Sequence, residues 1–157
     1  MGTEIERKFL LNKEAWQGLK STLTGVVIKQ GYLNTDPDRN VRVRVYGTQG
    51  FLTVKGRTIG ATRLEFEYEV PVEDAEEMLK LCHKPIIEKQ RYTTQLDLEW
   101  VIDEFEGDNT GLVVAEVELE SETQAFELPQ WTAEEVTADI RYYNSNLVEN
   151  PYTTWEH

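Results

Sequence analysis

Charged and hydrophobic residues alternate with a period of two along much of the chain. In the first such segment, Glu4, Glu6 and Lys8 alternate with Ile5 and Phe9. Because successive side chains on a β-strand point to opposite faces, the three charged side chains share one face of a strand. The same kind of alternation returns in several later segments. This repetition predicts a sheet with one highly charged face and one apolar face.

The alternation predicts eight strands, most of them joined by short turns. The predicted strands span residues 3–11, 26–33, 40–46, 51–55, 63–70, 86–94, 98–105 and 112–120. Helical spacing and capping signals predict helices at residues 13–23, 72–84 and 121–126, and one or two helices within 132–148. Asn12 is the expected cap of the first helix, and Ser121 with Gln124 forms a capping-box pattern for the third. Residues 150–157 are expected to fray.

The predicted fold class is α+β, predominantly β. Short turns favour antiparallel pairing, and eight strands are enough to close a barrel. If the helices cover the apolar face from outside, the charged faces point inward and form a charged lumen. We therefore predict an eight-stranded antiparallel closed barrel, or tunnel, with flanking helices in a single domain at residues 1–157. The alternative for each strand is a solvated face on a half-exposed sheet.

Composition restricts the class of protein. The chain of 157 residues has a net charge of -13, which argues against nucleic-acid binding through general electrostatics. No apolar run approaches the roughly 18 residues of a membrane helix, so we expect no membrane association. Cys82 is the only cysteine, so an intrachain disulfide is excluded and a reducing cytoplasm is the expected location.

The charged faces suggest a specific chemistry. Carboxylates without histidine suit Mg2+ or Mn2+ and argue against zinc, whereas rows of arginine and lysine suit a chain of phosphates. Together they would form one site for a metal-bound phosphate chain, where a phosphoryl bond is cleaved. The inward bases are predicted to be Lys8, Arg42, Arg44, Lys55, Lys89 and Arg91, and the inward acids Glu4, Glu6, Glu65, Glu67, Asp103, Glu116 and Glu118.

An ordered set of short motifs covers nearly the whole chain. It begins with Glu4-x-Glu6-x-Lys8, which is a weak signal alone. The other motifs are Gln30-Gly31-Tyr32-Leu33, Arg42-x-Arg44, Leu52-Thr53-Val54-Lys55, Arg63-x-Glu65-x-Glu67, Glu88-Lys89-x-Arg91-Tyr92, Ile102-Asp103, Glu116-Val117-Glu118 and Val136-Thr137-x-Asp139 with Arg141-Tyr142. The ordered set resembles the CYTH superfamily, the triphosphate tunnel metalloenzymes, and most closely its short, single-domain bacterial members.

The resemblance implies roles for individual residues. Glu65 and Glu67 would position the bases or assist a second metal, and Arg141 would contact phosphate because Ile140 replaces the basic residue expected before it. The implied catalytic residues are Glu4, Glu6, Lys8, Glu116 and Glu118; the implied metal ligands are Glu4, Glu6, Glu116 and Glu118, with Asp103 nearby; the implied substrate-binding residues are Lys8, Arg42, Arg44, Lys55, Arg63, Glu65, Glu67, Lys89, Arg91 and Arg141.

The leading functional hypothesis is metal-dependent hydrolysis of inorganic tripolyphosphate to pyrophosphate and phosphate, with two Mg2+ or Mn2+ ions. Alternatives that share the same groups are a nucleoside or thiamine triphosphatase and a class IV adenylate cyclase. A non-catalytic polyphosphate-binding module would need the bases but not the carboxylates. The expected partner is a small-molecule triphosphate, with no nucleic acid and no membrane, and the protein is expected to be a monomer or homodimer.

Overall fold

A computed structural model describes residues 2–156, which fold mainly into antiparallel strands. The strands form where the sequence alternates. They are β1 (Thr3–Leu11), β2 (Val26–Asn34), β3 (Arg39–Tyr46), β4 (Gln49–Gly56), β5 (Thr62–Val70), β6 (Ile87–Gln95), β7 (Glu99–Phe105), β8 (Val113–Glu118) and β9 (Thr132–Glu135). The helices are α1 (Lys13–Lys20), α2 (Val72–Leu79) and α3 (Asn144–Glu149).

Strands β1 to β8 close into a barrel in the order β5-β4-β3-β2-β6-β7-β8-β1. Closure occurs where the start of β1 pairs antiparallel with β5, with Glu4 opposite Arg63. The remaining neighbours in this ring are also antiparallel. The predicted eight-stranded antiparallel barrel is therefore confirmed, and the short strand β9 is added beside the second half of β1.

The outer face of the barrel carries the larger part of the apolar core. Trp16 of α1 is buried, and its ring meets Tyr92 of β6 edge-on at 5.1 Å between centroids. On another side, Ala75 and Leu79 of α2 pack with Val43 of β3. Because the helices cover the apolar outward faces, the charged faces are left to line the interior, as the alternation predicts.

Helix α3 closes one end of the barrel. Leu147 and Val148 of this helix are buried in one cluster with Ile87, Phe105 and Val114. On their strands, these three residues share a face with the charged residues that line the lumen. The interior therefore changes from polar to apolar towards this end, where the helix fills it.

Both long helices are shorter than the sequence predicts. Helix α1 ends at Lys20 and helix α2 ends at Leu79, each after eight residues. Asn12 caps α1 by accepting a hydrogen bond from the backbone N–H of Ala15, as its type and position predict. Within residues 2–156, no helix is both long and apolar enough to cross a membrane.

The predicted helix at residues 121–126 is wrong, because this segment is a loop. The Gln124 side chain, which the sequence suggests is half of a capping box, accepts a hydrogen bond from the backbone N–H of Glu120 at 2.6 Å. Further along, the Phe126 ring packs against Trp100 at 5.9 Å between centroids. The extended loop carries Phe126 to this contact on the barrel wall.

The prediction of one or two helices within residues 132–148 is only partly right. Its first part is strand β9, in which Glu135 lies opposite Phe9 of β1. The second half of β1 would otherwise expose an unpaired edge, since β5 pairs only with its first three described residues. The helix itself begins at Asn144, after a 3-10 turn.

The C-terminal residues do not fray as predicted. Trp155 packs against Tyr142 at 5.2 Å between ring centroids, and its indole N–H donates to the backbone carbonyl of Asn150 at 2.8 Å. These contacts hold residues 150–156 against the closed end. His157 lies outside the described residues.

We predict that Trp100→Ala lowers the free energy of unfolding by about 3–5 kcal/mol, the usual cost of removing a buried tryptophan. Trp100 is 1% exposed and its ring contacts Phe9, Phe126 and Trp131. Urea denaturation measures the change. The control is Leu96→Ala, at a residue that is 49% exposed, and we expect it to cost about 0.5 kcal/mol or less. Equal losses in the two variants would contradict this account of the core.

Candidate active site in the barrel lumen

The lumen collects nearly all of the charged residues that the sequence directs inward. At its open end is a cavity of about 370 Å³, and Lys8, Arg63 and Lys89 lie further towards the closed end. The side chains that line the open cavity are Glu4, Glu6, Arg42, Arg44, Lys55, Glu65, Glu67, Arg91, Glu116 and Glu118, with Leu98, Glu99 and Val101.

One wall of the lumen is built by the register of β1 against β8. Glu6 lies opposite Glu118, and Lys8 lies opposite Glu116. The Lys8 Nζ is 3.9 Å from a carboxylate oxygen of Glu6 and 4.0 Å from one of Glu116, so one ammonium faces two carboxylates at the limit of an ion pair. Burial, with the negative charges of Glu116 and Glu4, raises the pKa of Glu6 to about 8. The negative charge of this wall is therefore not fully compensated, and a further cation would be stabilised there.

Glu4 is in a different electrostatic situation from Glu6. Its carboxylate accepts hydrogen bonds from Lys55 Nζ at 3.1 and 3.3 Å and from Arg63 Nε at 3.4 Å. Burial acts to raise its pKa, but Lys55, a hydrogen bond with Glu65 and Arg63 together more than offset that effect, and the pKa of Glu4 lies below its ordinary value. Lys55 also pairs with Glu65 at 3.2 Å. Glu4 is thus already neutralised by protein cations.

Asp103 holds two bases of the opposite wall in place. Arg91 donates to both of its carboxylate oxygens, at 2.8 and 2.9 Å, and the Lys89 Nζ lies 2.7 Å away. Asp103 and Lys89 are almost completely buried. Burial would raise the pKa of Asp103, but the charges of Arg91 and Lys89 lower it below its ordinary value. The resemblance placed Asp103 near the metal, and its described partners are both basic residues.

Burial also affects the bases of this wall. It lowers the pKa of Lys89 to about 7 and the pKa of Arg44 to about 9, where the neighbouring Arg42 and Arg91 add to the effect. The Nε of Arg42 is buried without a hydrogen-bond partner among the described residues. A buried, unpaired donor is costly unless a ligand satisfies it. These crowded cations and the free donor fit a polyanion in the lumen.

Glu67, which the sequence also directs inward, lies on the exposed side of this wall. It accepts hydrogen bonds from Thr53 at 3.0 Å and from Arg42 at 3.4 Å. It therefore holds one terminal nitrogen of Arg42 and leaves the Nε free.

Arg141 is the one predicted site residue that the structure places away from the lumen. Its guanidinium pairs with Asp139 at 2.7 Å, is largely exposed, and lies over the rings of Tyr142 and Trp155. The local turn explains this, since Asp139 also accepts a hydrogen bond from the backbone N–H of Arg141. The basic residue of this segment is therefore on the outer surface of the closed end.

Sequence reasoning missed several polar residues of the lumen. The ring of Tyr143 lies 5.0 Å from the Lys8 Nζ, and Asn144 hydrogen-bonds both Lys89 and Gln30. Gln30 could have been found, because the alternation of β2 directs it inward. Tyr143 and Asn144 could not have been found in this way. They enter the lumen only because the closing segment, which consists of Tyr143 and helix α3, packs into the end of the barrel.

The carboxylate wall fits a divalent cation that is completed by other ligands. Within residues 2–156, no group of three or more acidic, histidine or cysteine side chains forms a ready metal site. Glu6, Glu116 and Glu118 offer oxygens that Mg2+ prefers, and in phosphate-handling sites Mg2+ commonly takes one or two carboxylates, substrate oxygens and water. The protein residues therefore suit an ion whose remaining ligands come from a phosphate chain.

Comparisons with solved structures agree with this architecture. The crystal structure of the inorganic triphosphatase NE1496 superimposes with a TM-score of 0.62 at 35% identity, covering 92% of this chain and 96% of that one. A putative adenylyl cyclase from Hippeastrum, described as having a dominant triphosphatase activity, has a TM-score of 0.57 at 16% identity, covering 77% of this chain and 80% of that one. At that identity the likeness shows a shared fold.

Sequence comparisons identify the family. The chain is 51% identical over 158 residues to an inorganic triphosphatase of Acetivibrio thermocellus, covering 99% of each protein. It is 38% identical over 150 residues to an inorganic triphosphatase of Nitrosomonas europaea, covering 92% of this chain and 96% of the relative. The family model of the CYTH domain matches residues 2–152. This chain belongs to the CYTH domain family.

Proposed function

We propose that this protein is a metal-dependent triphosphatase that hydrolyses inorganic tripolyphosphate to pyrophosphate and phosphate. One observation carries the proposal: a single enclosed lumen has crowded cations with a free buried donor on one wall and incompletely neutralised carboxylates on the other. The relatives from Acetivibrio thermocellus and Nitrosomonas europaea, both named inorganic triphosphatases, support the same activity.

The bases bind and orient the phosphate chain. Arginine presents several N–H donors in a planar fork that matches phosphate oxygens, and Arg42, Arg44 and Arg91 place such forks around the lumen. Lys8 and Lys89 add compact charges deeper inside. Enclosure by the barrel and by α3 limits water around the bound chain. Held in this way, the chain would present one P–O–P bridge for attack by water, which yields phosphate and pyrophosphate.

Membership of the CYTH family implies dependence on a divalent metal, and we propose Mg2+ or Mn2+, with two ions. Glu6, Glu116 and Glu118 are the ligands that we favour, because Glu4 is paired with Lys55 and Asp103 with Arg91 and Lys89. When bound, the metal would neutralise phosphate charge and lower the pKa of a coordinated water. The carboxylates would orient that water relative to the chain held by the bases.

An organic triphosphate is the second candidate substrate. Leu98 and Val101 place apolar side chains at the open end of the cavity, where a base or ring attached to a triphosphate would project. A nucleoside or thiamine triphosphatase, or a class IV adenylate cyclase, would use the same lumen. A non-catalytic polyphosphate-binding module is less favoured, because it gives no role to the paired carboxylates of β1 and β8. Cytoplasmic location and a monomeric or homodimeric state stay predictions of the sequence.

A substrate panel tests the proposed activity directly. Phosphate release is measured in parallel from tripolyphosphate, ATP and thiamine triphosphate, each with Mg2+, Mn2+ or EDTA. We expect release from tripolyphosphate to be fastest and to be abolished by EDTA, since the carboxylate wall needs a cation. Faster release from ATP or thiamine triphosphate would favour the second candidate, and cyclic AMP formed from ATP would identify a cyclase.

We predict that Glu6→Gln and Glu116→Gln each reduce metal-dependent turnover of tripolyphosphate by about 100-fold or more, because an amide is a poor ligand for Mg2+ or Mn2+. Steady-state kinetics gives the change, and thermal unfolding checks that the fold is kept. Glu134→Gln is the matched control, since Glu134 is exposed on β9 outside the lumen. Full activity in both lumen variants would show that the metal assignment is wrong.

We predict that Arg42→Lys raises the KM for tripolyphosphate by about 10-fold, because lysine lacks the planar fork and the free Nε donor of arginine. The control substitution is Arg39→Lys on the same strand, where the side chain is 80% exposed. Initial rates across substrate concentrations separate KM from kcat. An unchanged KM in the Arg42 variant would exclude this guanidinium from substrate binding.

A further inference from the structure

A chain of buried and partly buried hydrogen bonds connects the closing segment to the basic wall of the lumen, which consists of Arg42, Arg44, Lys89 and Arg91. The Oδ1 of Asn144 accepts from the Lys89 Nζ at 2.9 Å and from the Gln30 Nε2 at 2.8 Å. The Oε1 of Gln30 accepts in turn from the Arg44 Nε at 2.8 Å. Gln30 and Lys89 are almost completely buried, and Arg44 is 9% exposed. The chain thus joins α3, β2, β3 and β6.

The donors at the two ends of this hydrogen-bond chain determine which way each amide group is turned. Lysine and arginine side chains can only donate, so the Asn144 atom next to Lys89 must be the oxygen. The Gln30 atom that meets this oxygen must then be its amide nitrogen. The Gln30 oxygen is left facing Arg44, which can also only donate. Each amide has one orientation that satisfies its neighbours.

The hydrogen-bond chain also determines which N–H groups of Lys89 and Arg44 remain for a ligand. In its protonated form Lys89 has three N–H groups; it directs one to Asp103 and one to Asn144, which leaves one. Arg44 uses its Nε on Gln30, which leaves the N–H groups of its two terminal nitrogens. The remaining donors of both cations are therefore oriented before any phosphate arrives.

We propose that Asn144 is a positioning residue, which orients Lys89 directly and Arg44 through Gln30 for binding the phosphate chain. The proposal rests on the proposed function and goes beyond it by assigning a role to the closing helix. Asn144 is the first residue of α3, and Leu147 and Val148 fix that helix in the closed end. Packing at the closed end therefore sets the geometry of the basic wall.

The local environment favours this role over helix capping. The residue before α3, Tyr143, occupies the N-cap position, and its side chain makes no capping hydrogen bond. The two side-chain hydrogen bonds described for Asn144 both go to lumen residues of the strands. Its side chain thus serves the lumen rather than the helix.

The test measures binding of tripolyphosphate by calorimetry in EDTA, where no turnover occurs, and kcat/KM with Mg2+. We expect Asn144→Ala to weaken binding and to lower kcat/KM, each by about 10-fold, because Lys89 and Gln30 lose their acceptor. Asn146→Ala is the control on the same helix, since its side chain bonds Arg141 and Asn150 outside the lumen, and we expect wild-type values for it.

A double-mutant cycle separates positioning from a structural role. If Asn144 acts through Lys89, Asn144→Ala has at least about 3-fold less effect on tripolyphosphate affinity when Lys89 is already alanine. Fully multiplicative effects would overturn the proposal. Gln30→Met breaks the same chain from β2 and keeps the test valid if Asn144→Ala does not fold. We expect it to weaken binding as well, and wild-type affinity in Gln30→Met would also overturn the proposal.

The outcomes distinguish this inference from the proposed function. Wild-type protein that neither binds nor hydrolyses tripolyphosphate would overturn the proposed function, and this inference with it. Wild-type activity with equal affinity in the Asn144→Ala variant would overturn the positioning role alone. A lower melting temperature without a change in affinity would also overturn the positioning role, because Asn144 would then only stabilise the fold.

Discussion

Electrostatic balance inside a closed barrel is the constraint on which the rest of this structure depends. Unit charges about 4 Å apart interact by roughly 4 kcal/mol at an effective dielectric of 20, so like charges cannot be enclosed without compensation. Where Asp103 meets Lys89 and Arg91, the negative charge of Asp103 is fully compensated within the protein and positive charge is left over. Around Glu6 it is incomplete, since Glu6 shares Lys8 with Glu116 at 3.9–4.0 Å and its pKa is raised to about 8. The lumen thus combines a wall prepared for anions with a wall prepared for cations.

This polar interior determines where the hydrophobic core must be. A small barrel is usually filled by apolar side chains, whereas here the apolar faces of the strands point outward and need a cover. Trp16 of α1 and Leu79 of α2 supply part of it, and the loop that carries Phe126 supplies another part. Away from the closed end, the apolar core and the charged site therefore lie on opposite faces of the same strands.

The closing segment links the apolar core to the charged site. Leu147 and Val148 extend the apolar core into the barrel at one end, and Asn144, three residues before Leu147, reaches the basic wall. The lumen is thereby closed where its bases are deepest and open where Glu118 and Glu99 line the cavity. A triphosphate chain would enter from the acidic end and extend towards Lys89. The closed end would set the depth to which it penetrates.

The sequence by itself determined the eight barrel strands and the inward direction of their charged residues, because a period of two dictates which side chains share a face, and its ordered motifs carried the family resemblance. Tertiary structure decided the rest. It made residues 132–135 a strand because β1 had an edge to pair, placed Arg141 outside the lumen through its contact with Asp139, and brought Asn144 to Lys89. These outcomes depend on which distant segments meet when the barrel closes, and no local pattern records that.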